Sequence, residues 1–235
     1  MKTLAVIPAY NEEDRVADIV RGAAKHVDVV VVVDDGSTDS TSSKAREAGA
    51  MILTLPVNIG YGGALQAGYR YAQSNGFDAL VQLDADGQHA PEDIPALLEP
   101  IMEGRCDLAL GSRFLNPDSW HATFFRRAGM RFFSFLIRIF AGQRVTDPTT
   151  GFQAMNRRLI ERVASGAYPD DYPDADVIVM LLREKFRIRE VGVTMKPPPP
   201  GKSMHSGLKP LYYTVKMILS VLVVMIRGRG AGGVE

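Results

Sequence analysis

Two acids, an amide and an imidazole follow an apolar run in the segment VQLDADGQH at 81–89. In an extended chain residues i and i+2 face the same side. Asp84 and Asp86 can therefore present carboxylates to one object, and Gln88, two residues further on, can add an amide oxygen. Such donors suit a hard divalent cation, Mg²⁺ or Mn²⁺, which keeps part of its water and is commonly held by one or two carboxylates plus substrate phosphates. Gly87 permits a tight turn, and His89 reads either as a further ligand or as a cap for the helix that begins at Pro91. Taken alone, the Asp-x-Asp also reads as a polar turn capping that helix. A second acidic pair, Asp34 and Asp35, ends a run of five valines; Asp35 is the favoured ligand contact, and Ser37 and Thr38 read as helix caps.

The elements that must carry these residues follow from periodicity. Short continuous apolar runs at 3–8, 27–35, 50–56, 77–84 and 106–112 read as buried strands. Between them lie stretches about a helix long and polar on one side, such as NEEDRVADIVRGAAKH and GYGGALQAGYRYAQSNG. The alternation predicts an α/β protein with a doubly wound, mostly parallel sheet, whose ligands gather beyond the carboxyl ends of the strands. The unusual residues stand at those ends: PAYNE after the first strand, DDGS after the second, NIG after the third and DADGQH after the fourth. There is no Gly-x-Gly-x-x-Gly after the first strand and no Gly-Lys-Ser/Thr, so neither a dinucleotide fingerprint nor a P-loop is indicated.

The 235 residues, 46% apolar and 23% charged, suit one large domain, and the lone Cys106 excludes an internal disulfide framework and a cysteine zinc cage. A reducing compartment fits, and the opening MKTLAVIPAYNEE lacks the pattern of a signal peptide. The net charge of zero conceals an asymmetry: residues 1–110 carry 8 basic and 17 acidic side chains, residues 111–235 carry 19 and 10. An acidic half suits a cation and what it escorts; a basic, aromatic half suits phosphates or an anionic membrane surface, against a plain reading as solvated charge.

The strand-end motifs, in this order and spacing, resemble the inverting family 2 glycosyltransferases with the GT-A fold, nearest to polyprenyl-phosphate sugar synthases of the dolichyl-phosphate mannose synthase type. The resemblance spans roughly 3–155. It implies a nucleotide-sugar donor, GDP-mannose or a UDP-hexose. Pro8, Tyr10 and Glu12 would line the nucleoside, Asp35 with Val33 would meet its base, and Asp84 and Ala85 would complete the donor site. Asp86 and Gln88 would be the direct metal ligands, and Arg113 in GSRF would stand beside the transferred phosphate or sugar. A bound cation would neutralise the departing nucleoside diphosphate without proton chemistry.

The segment 122–142 holds six Phe and four Arg, with Arg127, Arg131 and Arg138 near one helical face. Such a helix can lie in a headgroup region, or pack its Phe residues inward as an ordinary domain helix. The resemblance implies that Arg126 and Arg131 bind an acceptor phosphate. VTDPTTGFQAMNR at 145–157 reads as a loop and resembles the family's Asp-Pro-x-Ser/Thr-Gly-Phe segment. Asp147 is its candidate general base if the acceptor is a glycan hydroxyl; a lipid-phosphate acceptor is already anionic, and Asp147 would then only orient it.

The chain departs from the lipid-phosphate synthases at the acidic 168–176 and at KPPPPGKSMHSG, where Lys196 or Lys202 would take the place of an expected Arg. The expected organisation is a transferase domain at 1–195, divided into a nucleotide and metal half (1–112) and an acceptor half (113–195), then a Pro-rich linker at 196–210 and an amphipathic helix and tail at 211–235. The sixteen residues 211–226 are interrupted by Lys216 and fall short of a span, so the helix reads as interfacial or as the contact of a homo-oligomer. The expected enzyme is cytoplasmic and peripheral on the cytoplasmic face of the membrane, with no nucleic acid among its partners. A transferase-like protein that binds nucleotide without turnover keeps the same motifs. An aspartyl-nucleophile phosphatase would want its Asp-x-Asp near the amino-terminal strand, and a receiver-like module would want an acid where the third strand instead ends in LPVN.

Overall fold

The computed structural model describes residues 1–116, 119, 124–165 and 175–197, the segments 124–128 and 175 by backbone alone. Strands β1 (Thr3–Ala9), β2 (Val29–Asp34), β3 (Met51–Thr54), β4 (Ala79–Gln82) and β5 (Leu108–Ser112) alternate with helices α1 (Val16–Ala23), α2 (Thr41–Glu47), α3 (Tyr61–Ser74) and α4 (Ile94–Met102), the last entered through a 3₁₀ turn at Pro91–Asp93. The long α5 (Phe124–Ala141) follows, then β6 (Gln153–Asn156), α6 (Arg157–Ala164), α7 (Ala175–Arg183) and β7 (Ile188–Gly192).

All belong to one sheet of order β3-β2-β1-β4-β6-β5-β7, parallel except for β6, which runs antiparallel to both β4 and β5. Strand periodicity divides the core between its two faces. Leu4, Val6, Val31, Val33 and Leu80 face α3, α5, α6 and α7, whereas Ala5, Ile7, Val30, Val32 and Val81 face α1, α2 and α4. Helix α3 lies directly on β1 because Gly68 has no side chain; a Cβ there would stand 2.4 Å from Val6 Cγ1.

The expected alternation holds through β5, with two differences. β3 is an edge strand with Met51 half exposed, not a buried one. The segment read as a loop at 145–157 contains β6, a central strand. Only Ala154 and Met155 of β6 are apolar; Gln153 and Asn156 are held by side-chain bonds to Thr150 and Asp107, so no hydrophobic run announces it. The halves 1–112 and 113–195 thus share one sheet. Apart from residues 196 and 197, the expected linker and carboxyl-terminal helix lie outside the described residues. Among the described residues no helix is long and apolar enough to cross a membrane.

Candidate active site

The carboxyl ends of β1, β2 and β4 meet, as parallel neighbours must, and their loops are stitched together by side chains. After β1, Pro8 is buried and Tyr10 is 46% exposed. Asn11 adopts the left-handed conformation at φ 53°. Its N–H donates to Ser37 Oγ (3.0 Å), and its amide oxygen accepts from the Thr38 N–H (3.0 Å). The Glu12 N–H donates to Thr41 Oγ1 (2.8 Å), and Glu12 lies 3.5 Å from the Arg15 guanidinium. Ser37 and Thr38 therefore join two loops instead of capping α2 as expected; Asp39 accepts from the first N–H of that helix, at Thr41 (2.9 Å).

After β2, Asp34 accepts from the Ser37 N–H and from Ser42 Oγ. Asp35, 4% exposed, accepts from the Ile59 N–H (2.8 Å) and the Gly60 N–H (2.9 Å), so its carboxylate shapes the entry to α3. Val33 is fully buried in the core, which leaves only its backbone at the strand end.

After β4, Ala85 turns into the core at 2% exposure while Asp84 and Asp86 on either side remain partly accessible. This is the i, i+2 relation expected of the motif. Asp86 Oδ1 accepts from the Gln88 N–H (2.9 Å), and Asp86 Oδ2 lies against the Gln88 side-chain amide. Gly87 makes the turn at φ 80°. His89 takes neither expected role. It is buried, stacks on Phe152 with ring centroids 4.9 Å apart, and its Nδ1 accepts from the Asp84 N–H (3.0 Å). An accepting Nδ1 places the ring proton on Nε2, which lies 3.8 Å from Asp84 Oδ2. A backbone bond from the Lys196 N–H to the Gln88 carbonyl (2.9 Å) ties the loop to the chain beyond β7.

Burial pushes the Asp84 carboxyl above its ordinary value; the nearby His89 ring works against that, the Asp86 charge adds to it, and the Tyr61 hydroxyl and Arg113 oppose it. Two neighbouring carboxylates and an amide make a hard-oxygen donor set, and among the described residues no cluster of three or more His, Cys, Asp or Glu forms a closed protein cage. That chemistry fits Mg²⁺ or Mn²⁺ with substrate phosphates completing the shell.

The side of the site expected to meet the acceptor is built on a buried pair. Arg113 Nε donates to Asp147 Oδ2 at 2.6 Å and the Arg113 N–H to the same oxygen at 3.2 Å, with the residues 4% and 0% exposed. Asp147 Oδ1 is buried and has no hydrogen-bond partner among the described residues. Glu190 on β7 fixes this loop from behind, accepting from the N–H groups of Thr146 (2.8 Å) and Asp147 (2.9 Å) and from Thr146 Oγ1 (2.7 Å). On α5, Arg131 is exposed; the side chain of Arg126 and all of Lys202 lie outside the described residues.

Sequence reading assigned no role to Glu190, Tyr61 or Gln82. Gln82 did carry a signal, as the one amide in an otherwise apolar strand; Tyr61 stood within a quoted motif, and nothing local marked Glu190.

Residues 4–164 match the family model described as Glycosyl transferase family 2. Among curated relatives, the undecaprenyl-phosphate mannosyltransferase of Micrococcus luteus is 32% identical over 88% of this chain and 88% of its own length. The UDP-N-acetylglucosamine–dolichyl-phosphate N-acetylglucosaminyltransferase of Methanococcus voltae is 28% identical over 80% of this chain and 83% of its own. Among solved structures, glucosyl-3-phosphoglycerate synthase from Mycobacterium tuberculosis, in complex with Mn²⁺, uridine diphosphate and glucosyl-3-phosphoglycerate, superposes with a TM-score of 0.68 at 22% identity, covering 99% of this chain and 81% of that one. With its strand-end loops in place and its family model spanning most of the folded chain, the protein belongs to glycosyl transferase family 2 and is a nucleotide-sugar glycosyltransferase of the GT-A fold.

Proposed function

We propose that the chain transfers a hexose from a UDP- or GDP-sugar to a polyprenyl phosphate, inverting the anomeric centre, while bound peripherally on the cytoplasmic face of a membrane. The carrying observation is the loop after β4, where Asp86 and Gln88 share one tight turn and Asp84 stands beside them. Asp86 and Gln88 would hold Mg²⁺ or Mn²⁺, with the Gln88 amide turned to present its oxygen, and Asp84 would meet the donor. The cation, when bound, supplies positive charge against the leaving diphosphate.

Tyr10, Pro8 and Glu12 line the nucleoside side, and the Asp35-supported turn at 58–60 closes it. An acceptor phosphate oxygen attacks the anomeric carbon opposite the diphosphate; the new carbon–oxygen bond forms as the old one breaks, and the electron pair leaves with the nucleoside diphosphate. That nucleophile carries no proton to remove, so no general base is required. Asp147 accordingly serves by orienting Arg113, since its Oδ2 is already engaged and its side chain is closed to solvent. The names of the curated relatives support a lipid-phosphate acceptor, and so does the outer face of α5, where Phe132, Phe135 and Ile139 are exposed beside Arg131 and Arg138 while Met130, Phe133 and Ile137 pack inward.

Sugar transfer from UDP- and GDP-hexoses to a short polyprenyl phosphate, with and without Mn²⁺ or Mg²⁺, tests the reading. Wild-type turnover should require the ion, and Asp86→Ala should lose it; an Asp86→Ala enzyme as fast as wild type would exclude the proposed mechanism.

A further inference from the structure

We propose that Tyr61 is a positioning residue for the donor: its phenolic hydroxyl, aimed by a buried glutamine, holds the carboxylate of Asp84 in place. The inference rests on the reading of Asp84 as a donor contact.

Tyr61 opens α3, and its hydroxyl donates to Asp84 Oδ1 at 2.7 Å. The Tyr61 hydroxyl oxygen in turn accepts from Gln82 Nε2 at 3.0 Å, and the Gln82 side-chain oxygen accepts from the Tyr69 hydroxyl. Gln82 and Tyr69 are fully buried. The donors and acceptors fix the direction of this chain: the Gln82 amide nitrogen can only donate, so the Tyr61 oxygen accepts from it and turns its own proton to Asp84 Oδ1, while the Gln82 oxygen, which can only accept, takes the Tyr69 proton. The chain pairs its polar groups deep in the sheet, where an unpaired one is costly.

Gly151 confirms how closely the pair is enclosed. A Cβ at 151 would stand 2.9 Å from the Tyr61 hydroxyl and 3.1 and 3.3 Å from the two Asp84 oxygens. On the remaining side, His89 accepts the Asp84 N–H. The carboxylate is thus fixed by a tyrosine from α3, a histidine from its own loop and a glycine from the loop before β6. These contacts commit Oδ1 to Tyr61 before any donor arrives, so ordering Asp84 does not add to the cost of binding. A hydrogen bond to a charged group of this kind supports an effect of about ten-fold on binding.

Isothermal titration of UDP and of GDP in the presence of Mn²⁺ tests the assignment without recourse to turnover. Tyr61→Phe removes only the hydroxyl and should weaken the nucleotide that wild type binds by about ten-fold, and Gly151→Ala, which crowds the same hydroxyl, should do likewise. Tyr69→Phe lowers the unliganded melting temperature but leaves Tyr61 aimed at Asp84, so its affinity should stay within about three-fold of wild type. The proposal is overturned if Tyr61→Phe binds like wild type while Asp84→Ala does not, or if Tyr69→Phe loses as much affinity as Tyr61→Phe, since the effect would then be a general loosening of the core. Wild-type protein that binds neither nucleotide, or Asp84→Ala protein that binds like wild type, would instead remove the donor-site reading itself, and the proposal with it.

Discussion

Arg113 and Asp147, thirty-four residues apart in sequence, form a single buried unit: the guanidinium Nε donates to the carboxylate across 2.6 Å, and neither side chain reaches solvent appreciably. A buried ion pair adds little net stability, because desolvation offsets the attraction, but removal of one partner leaves an uncompensated charge. Asp147→Asn should therefore cost about 3–5 kcal/mol in denaturant unfolding. With a lipid-phosphate acceptor the residual activity should keep the wild-type pH profile, because Asp147 takes no proton. Loss of an alkaline or acidic limb in the kcat/KM profile of the variant would restore the general-base role.

Among the described residues Glu190 reaches the site through Asp147 and Thr146, whose N–H groups donate to it. Glu190→Gln keeps the shape but replaces a charged acceptor by a neutral one that also carries donors. Charge-assisted bonds are each worth about 1.5–3 kcal/mol, so the variant should unfold earlier. The loop at 145–150 should also loosen and, if it meets the acceptor as proposed, kcat should fall about ten-fold or more with the donor KM unchanged. Initial-rate kinetics with each substrate varied in turn measure both effects.

Asp84 illustrates a functional group held against the preference of the fold. Its carboxyl is raised above the ordinary 3.8 by burial, despite His89 and with the Asp86 charge adding to the shift. A folded-state pKa above the unfolded one means that the folded protein binds the proton more tightly. The stability this confers is complete below the unfolded pKa and is lost as pH rises through the raised value. At neutral pH, well above the ordinary carboxylate value, the ion-free and nucleotide-free protein has lost stability on this account, and Asp84→Asn should raise its melting temperature by about 2–4 °C for each kcal/mol relieved while lowering transfer activity about a hundred-fold or more. Thermal melts of both proteins at pH 4 and pH 7.5 should show the gap between them only at the higher pH.

The outer face of α5 offers a separate test, because its apolar residues are not needed by the core. Phe135 is 58% exposed and Ile139 57% exposed. Phe135→Asp should leave the melting temperature within about 2 °C, as surface changes usually do, and should reduce co-sedimentation with vesicles of anionic lipid about ten-fold by removing an inserted ring and adding a repelled charge. Binding that persists unchanged would assign membrane contact to another surface.

The strand-end side of the site was legible because its signals are local. An apolar run ending in Asp, Asn or Gly marks a strand and its loop within a few residues, and parallel βαβ units bring such ends to one edge of the sheet. PAYNE, DDGS and DADGQH are thus placed together by sequence pattern alone. The same local reading went astray where a residue's partner lay elsewhere. Ser37 and Thr38, which a local rule makes helix caps, join the loop after β1 across some 26 residues. His89, adjacent to the Asp-x-Asp segment, turned out to brace the Asp84 backbone against Phe152.

By itself, then, the sequence determined the class of the sheet, the succession of its first five strands along the chain and the residues presented at their ends, since these depend on period and on turn chemistry that act over a few residues. Only the tertiary structure decided that β6 enters between β4 and β5, that Glu190 supports Asp147 from 43 residues away, and that Tyr69, Gln82 and Tyr61 lead to Asp84. The physical reason is that a short polar strand and a buried hydrogen bond have no hydrophobic period; each is stabilised only when packing has excluded water and brought its distant partner within about 3 Å.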